Sequence, residues 1–179
     1  REKYNINKHK FVILHVGHIK KGRNVSILKK LQGESKENQV ILVGSTSTKV
    51  DYDVLNELKN AGCLVWNKYF ERIEEIYALS DCYVFPTKSK DNAIQMPLSV
   101  LEAMACNLPV ITTRFGALPQ IFCEGDGLIF ADSENDFIEA LKLIKTGIKV
   151  KTREKVLPYS WKNVVKRLED IYLRLMSGD

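Results

Sequence analysis

The chain has 179 residues and a net charge of +5, from 27 Lys and Arg against 22 Asp and Glu. Hydrophobic residues make up 45% and charged ones 27%, a balance that fits one globular domain, or a large part of a two-domain protein, able to bury a core without staples. No apolar run approaches the ~20 residues of a membrane span, and the opening REKYNINKHK lacks the pattern of a signal peptide.

Residues 1–9 read as a linker, and the domain is expected over 10–179. FVILHVG (11–17) is a nearly continuous apolar run closed by glycine, the pattern of a strand buried on both faces. NVSILKKLQ (24–32) then places Val25, Leu28 and Leu31 at helical spacing. QVILVGS (39–45) repeats the strand pattern, and DYDVLNELKNAG (51–62) reads as a helix opened by aspartate and stopped by glycine. CLVWN (63–67) is a third strand, followed by ERIEEIYALS (71–80), a helix with Ile73, Ile76, Tyr77 and Leu79 as its apolar side. CYVFPT (82–87), PLSVLEAMACN (97–107) and PVITT (109–113) read as strand, helix and strand. GLIFA (127–131) is a short strand, SENDFIEALKLIKTG (133–147) a helix capped at Asp132 or Ser133, and SWKNVVKRLEDIYLRLM (160–176) a long last helix. Strands and helices alternating at this pace predict an α/β fold, a Rossmann-like parallel sheet flanked by helices.

The basic cluster Lys145, Lys149, Lys151, Arg153 and Lys155 has no interleaved aromatics and reads as a solvated surface, so no nucleic-acid partner is expected. The mild positive charge suits an anionic ligand or peripheral contact with an acidic membrane face. Cys63, Cys82, Cys106 and Cys123 form no CxxC pair and no metal-ligand spacing. Three of them lie in apolar surroundings, which predicts buried, reduced thiols in a cytoplasmic protein.

In open α/β sheets ligands bind beyond the carboxyl ends of the strands. Four loops leave those ends: GHIKKGRN (17–24), GSTST (44–48), NKYF (67–70) and PTKSKDNAIQM (86–96). The first sets Lys20, Lys21 and Arg23 around two glycines, which suits an anion approached by backbone and equally an ordinary basic surface turn. It contains neither the P-loop pattern nor GxGxxG. The last is long for such a connection and leads to Pro97, a favoured first helical residue. The free N–H groups expected from Met96 to Ser99 form an anion site, to which Ser99 adds a hydroxyl. Glu102 follows one turn inside this start, alone among Leu98, Val100, Leu101, Ala103 and Met104. Two readings of it stand side by side. Facing water, it stabilises the positive end of its helix by roughly 0.3–1 kcal/mol. Facing a ligand, it accepts from two vicinal hydroxyls while the amides hold phosphate, the pattern of ribose joined to diphosphate.

At these residues the chain resembles the C-terminal domain of a GT-B glycosyltransferase of the retaining class called group 1 or family four. The likeness is carried by VLEAMACNLPVITT (100–113) after LSDCYVFPT (79–87), with support from VILHVGHIKKG (12–22), VILVGS (40–45) and YSWKNVVKRLEDIYLRL (159–175). It implies one half of a GT-B fold that binds a UDP- or GDP-sugar, with no metal or other cofactor. Glu102 is then the ribose ligand, and the loop with Trp66, Lys68 and Tyr69 takes the base. Gly17, His18, Lys20, Lys21 and Arg23 face the diphosphate together with Pro97, Leu98 and Ser99. Asp91, Gln95 and Met96 lie on the donor-sugar side.

The resemblance also implies a sugar or lipid-linked acceptor, held mainly by an N-terminal domain that this stretch does not contain, and transfer with retained configuration. No residue stands out as a catalytic nucleophile, and none is required. Two departures separate the chain from the family pattern. Ile94 stands where an acid is usual, eight residues before the helix glutamate, and His18 stands where an arginine is usual. Two rival functions follow: a non-catalytic interaction or regulatory module, and a GT-B-type nucleotide-sugar epimerase. His18 is either a diphosphate donor or an ordinary loop residue, and His15, inside the first apolar run, reads as a satisfied core histidine.

Overall fold

A computed structural model describes residues 1–177, in which the apolar runs become six strands of a single sheet. They are β1 (Phe11–Gly17), β2 (Asn38–Gly44), β3 (Leu64–Trp66), β4 (Cys82–Phe85), β5 (Val110–Thr112) and β6 (Leu128–Phe130). All neighbours pair parallel, in the order β3-β2-β1-β4-β5-β6. Val12, Ile13 and Leu14 of β1 and Val40, Ile41 and Leu42 of β2 are wholly buried, because helices cover both faces.

The helices are α1 (Ile27–Gly33), α2 (Tyr52–Asn60), α3 (Glu74–Leu79), α4 (Leu98–Ala105), α5 (Leu118–Ile121), α6 (Glu134–Lys145), α7 (Thr152–Val156) and α8 (Trp161–Ser177). On one face Ile76 and Tyr77 of α3 and Val100 and Met104 of α4 pack on Leu14, Val43 and Tyr83. On the other, Leu28 of α1, Leu58 of α2 and Phe137 and Leu141 of α6 pack on Ile13, Leu42 and Val84. Local signals set the ends. The Asp51 carboxylate accepts the Val54 N–H at 3.3 Å, and Ser133 and Asp136 form a reciprocal capping box at α6.

Several expectations need correction. α1 begins later than the spacing predicts, because a 3-10 turn at Lys21–Arg23 and left-handed Asn24 (φ 54) reset the chain, although Val25 is still buried. Pro97 is the residue before α4, with extended backbone (ψ 113), rather than its first helical residue. The short α5 and α7 carry too few periodic positions to be read from sequence. Only Cys63 and Cys82 are buried, while Cys106 and Cys123 are exposed. The basic cluster is tied down rather than merely solvated: Lys145 reaches Asn38 and the Phe11 ring, Lys151 pairs with Glu154, and Lys155 donates to the Cys123 carbonyl. Residues 1–9, read as a linker, lie against the sheet. Arg1 grips both oxygens of Asp81 at 2.8 Å, Tyr4 packs on Trp66, and Ile6 is buried.

Candidate functional site

Because every strand is parallel, all carboxyl ends share one edge, and the strand order reverses between β1 and β4. Connections from these two strands leave toward opposite faces, which opens a crevice between them. β1 and β4 are in register only at Ile13↔Cys82 and Leu14↔Tyr83, whereas β1 pairs with β2 along its whole length. Beyond Leu14 the crevice widens into a cleft of about 430 Å³ whose walls include Gly17, His18, Arg23, Ser45, Ser99 and Glu102. It joins a second hollow of about 410 Å³ that shares His18 and Arg23 and adds Lys20, Thr48 and Asp91. The loops after β1 and β4 meet where Asn24 Nδ2 donates to the Pro86 carbonyl at 3.2 Å.

One wall is the start of α4. No side chain caps it, and the Pro97 carbonyl takes the Val100 N–H at 3.1 Å. The first-turn amides of Leu98 and Ser99 therefore point out of the helix, with its positive end, toward the cleft. The preceding segment is clamped from behind. The Gln95 carbonyl accepts the Ala117 N–H at 2.9 Å, and a Cβ on Gly116 (φ 54) would stand 2.2 Å from that oxygen. Only glycine lets the loop after β5 come so close.

Two buried tyrosines hold the polar groups of α4. The Tyr77 hydroxyl donates to Glu102 Oε2 at 2.7 Å, so this carboxylate is aimed although it is exposed. Burial drives the Tyr77 phenol far above its ordinary pKa, as it does Tyr83, so both remain donors. The Tyr83 hydroxyl lies 2.8 Å from Ser99 Oγ and 3.3 Å from the Val16 carbonyl, which ties the serine to β1.

The opposite wall is cationic. Arg23 is half-buried, and among the described residues no carboxylate lies within ion-pair distance of its guanidinium. Burial lowers its pKa. His18 Nδ1 lies 2.7 Å from Thr48 Oγ1, and burial, then Arg23 and Lys20, hold the imidazole below its ordinary pKa. A half-buried guanidinium without an anion, facing uncapped amides, is a place for a phosphate.

The cleft and its adjoining hollow therefore bring together Gly17, His18, Lys20, Arg23, Asp91, Pro97, Leu98, Ser99 and Glu102. The other expected residues are not in the lining of these two hollows. Lys21 lines a different hollow beside Asp51 and Glu57. Trp66 packs at tilted angles in an aromatic group with Tyr4 and Phe70, the Lys68 ammonium lies 4.9 Å above the Phe70 ring, and Tyr69 is exposed. Gln95 contributes its clamped backbone, and Met96 packs against the core. Ile94, 63% exposed, stands in both hollows where the family pattern has an acid. Among the described residues no group of His, Cys, Asp and Glu is arranged to hold a metal ion.

Sequence reading missed Tyr77 and Tyr83, and named the loop of Ser45, Ser47 and Thr48 at a strand end without singling out these hydroxyls. Tyr77 stood in the apolar stripe of its helix, and the available signal was its hydroxyl, which a buried position obliges to find an acceptor.

Residues 1–160 match the family described as glycosyl transferases group 1. Sulfoquinovosyl transferase of Arabidopsis thaliana is 24% identical over 170 residues, 89% of this chain and 32% of that protein. Sucrose-phosphate synthase from Thermosynechococcus elongatus superposes with a TM-score of 0.80 at 19% identity, over 100% of this chain and 49% of that one. HepE of Anabaena, solved with UDP-glucose, superposes with a TM-score of 0.70 at 18% identity, over 94% of this chain and 49% of that one. The chain thus spans about half the length of these two structures and a third of the plant protein. Their likeness establishes the sheet as that of a GT-B Rossmann-like domain, and with the family matched from residue 1 to residue 160 the chain belongs to the glycosyl transferases group 1.

Proposed function

We propose that this domain binds a nucleoside diphosphate sugar, with UDP or GDP as its nucleotide, for retaining transfer to a sugar or lipid-linked acceptor. The observation that carries this reading is the convergence on one cleft of an uncapped helix start, an unpaired half-buried arginine and a tyrosine-held carboxylate. In it, Glu102 accepts from the ribose hydroxyls while Arg23, His18, Lys20 and the amides of Leu98 and Ser99 hold the diphosphate. As the bond to the sugar breaks, negative charge grows on the departing phosphate, and these fixed donors stabilise it without a metal. The acceptor hydroxyl attacks on the leaving-group face, which keeps the anomeric configuration.

An acceptor-binding domain completes the site. Its docking surface on this chain is α8, where Trp161, Val165, Leu168, Tyr172 and Leu175 form an exposed apolar stripe at helical spacing. The enzyme acts in the cytoplasm, at the membrane face if its acceptor is lipid-linked. Among the described residues no helix is long and apolar enough to cross a membrane.

Calorimetric titration with UDP and GDP tests the nucleotide site. Glu102→Ala is expected to weaken the binding nucleotide about tenfold, as the loss of hydrogen bonds to a charged group does. A folded chain that binds neither nucleotide refutes the reading. Ile94, an exposed apolar side chain where the family pattern has an acid, favours a second one, a transferase-like module that contacts other proteins and transfers nothing. In that case Glu102→Ala shifts stability alone.

A further inference from the structure

His15 lies on β1 two residues before Gly17, which lines the cleft, and is fully buried. Its Nδ1 lies 2.8 Å from the Val84 carbonyl, just past the last registered pair of β1 and β4. A carbonyl only accepts, so Nδ1 carries the proton and Nε2 is left with a bare lone pair. Among the described residues Nε2 is the one buried side-chain polar atom without a partner. Such an atom costs roughly 1–3 kcal/mol unless something outside the chain satisfies it.

The direction of Nε2 shows where that partner comes from. A Cβ on Gly17 would stand 2.9 Å from His15 Nε2 and 3.6 Å from Arg23 Nη1. Gly17 lines the cleft and carries no side chain, so only its backbone stands between the buried nitrogen and the ligand space, with the guanidinium beside it. A phosphate oxygen cannot satisfy the lone pair of a neutral imidazole, because both would be acceptors. Arg23 takes the phosphate, and the group over Gly17 must bring a proton.

We propose that His15 Nε2 is a ligand contact that accepts a hydrogen bond from a hydroxyl of the donor's sugar, held over Gly17 next to the phosphate on Arg23. This rests on the nucleotide-sugar reading of the cleft. It makes His15 a selector for the sugar that follows the diphosphate, in a region where Ile94 offers no polar atom. Burial, and to a lesser degree Arg23, keep the imidazole neutral by lowering its pKa to about 4, so Nε2 stays an acceptor at neutral pH.

The test uses the 179-residue chain with 15N-labelled histidine, titrated with UDP, GDP, UDP-glucose, UDP-N-acetylglucosamine and GDP-mannose. The Nε2 resonance of His15 is expected in the range of a bare lone pair and should move toward the hydrogen-bonded range with a sugar nucleotide, not with UDP or GDP. His15→Phe keeps the ring among Tyr83 and Phe85, and should bind that sugar nucleotide about tenfold more weakly while UDP or GDP changes less than about twofold. A resonance unmoved at saturation by every sugar nucleotide that binds, or moved equally by UDP or GDP alone, overturns the proposal and leaves the nucleotide site standing. Equal affinities of the wild type and His15→Phe for the sugar nucleotide do the same. If none of the five compounds binds, the nucleotide reading fails and this proposal falls with it.

Discussion

Tyr77 and Glu102 divide one task between two elements. The phenol, buried in α3, donates its hydrogen bond to a carboxylate that α4 leaves exposed. An exposed glutamate otherwise samples many rotamers, and ordering it on ligand binding costs side-chain entropy. Tyr77→Phe removes the hydroxyl and leaves Glu102 hydrated. Stability should fall by about 1 kcal/mol or less, while the dissociation constant for the nucleotide rises about two- to fivefold, read by denaturation and calorimetry. His15 adds a pH dependence. Its folded pKa of about 4 lies below the ordinary histidine value of 6.5, so between these the unfolded chain binds a proton that the folded chain does not. That stability is fully present above pH 6.5 and is lost as pH falls toward 4, by about 3 kcal/mol in all. Urea denaturation at pH 7 and pH 4.5 should show a smaller acid loss in His15→Phe than in the wild type.

Among the elements, the segment leading into α4 depends on a neighbour from another part of the chain. Gly116→Ala would place a methyl against the Gln95 carbonyl in a left-handed conformation. We expect a loss of at least about 2 kcal/mol, with weaker nucleotide binding because the helix start is displaced. Thermal unfolding with and without UDP measures both effects. The contact pairs residues from two loops, and no local pattern announces it. By contrast, β1, β2, α2 and α6 were legible, because continuous apolar runs, an aspartate cap, a terminal glycine and a capping box act within a few residues. α5 and α7 were not, since four or five residues give no full period. The site divides in the same way. Glu102, Arg23, His18 and the bare amides follow from position at strand ends and a helix start. The support from Tyr77, the orphaned nitrogen of His15 and the packing of Trp66 against Tyr4 and Phe70 depend on which elements become neighbours.

On the scale of the molecule, α8 stands outside the domain's own stability. Its 17 residues carry no buried side chain, although each of the seven preceding helices contributes buried residues to the two packed faces of the sheet. A chain ending at Ser160 should therefore melt within about 3 °C of the full chain and bind nucleotide equally well. A larger drop measured by calorimetry would mean that α8 folds back on the domain.

The one-way sheet has a practical corollary. With every carboxyl end at the cleft, the amino ends of β2 and β3 lie at the far edge, where exposed Lys36 precedes one and exposed Lys59 the other. Amine coupling or a fluorophore at either lysine would anchor the chain by the edge remote from its ligand, so a sensor surface built there would hold each molecule with its mouth open to the solution.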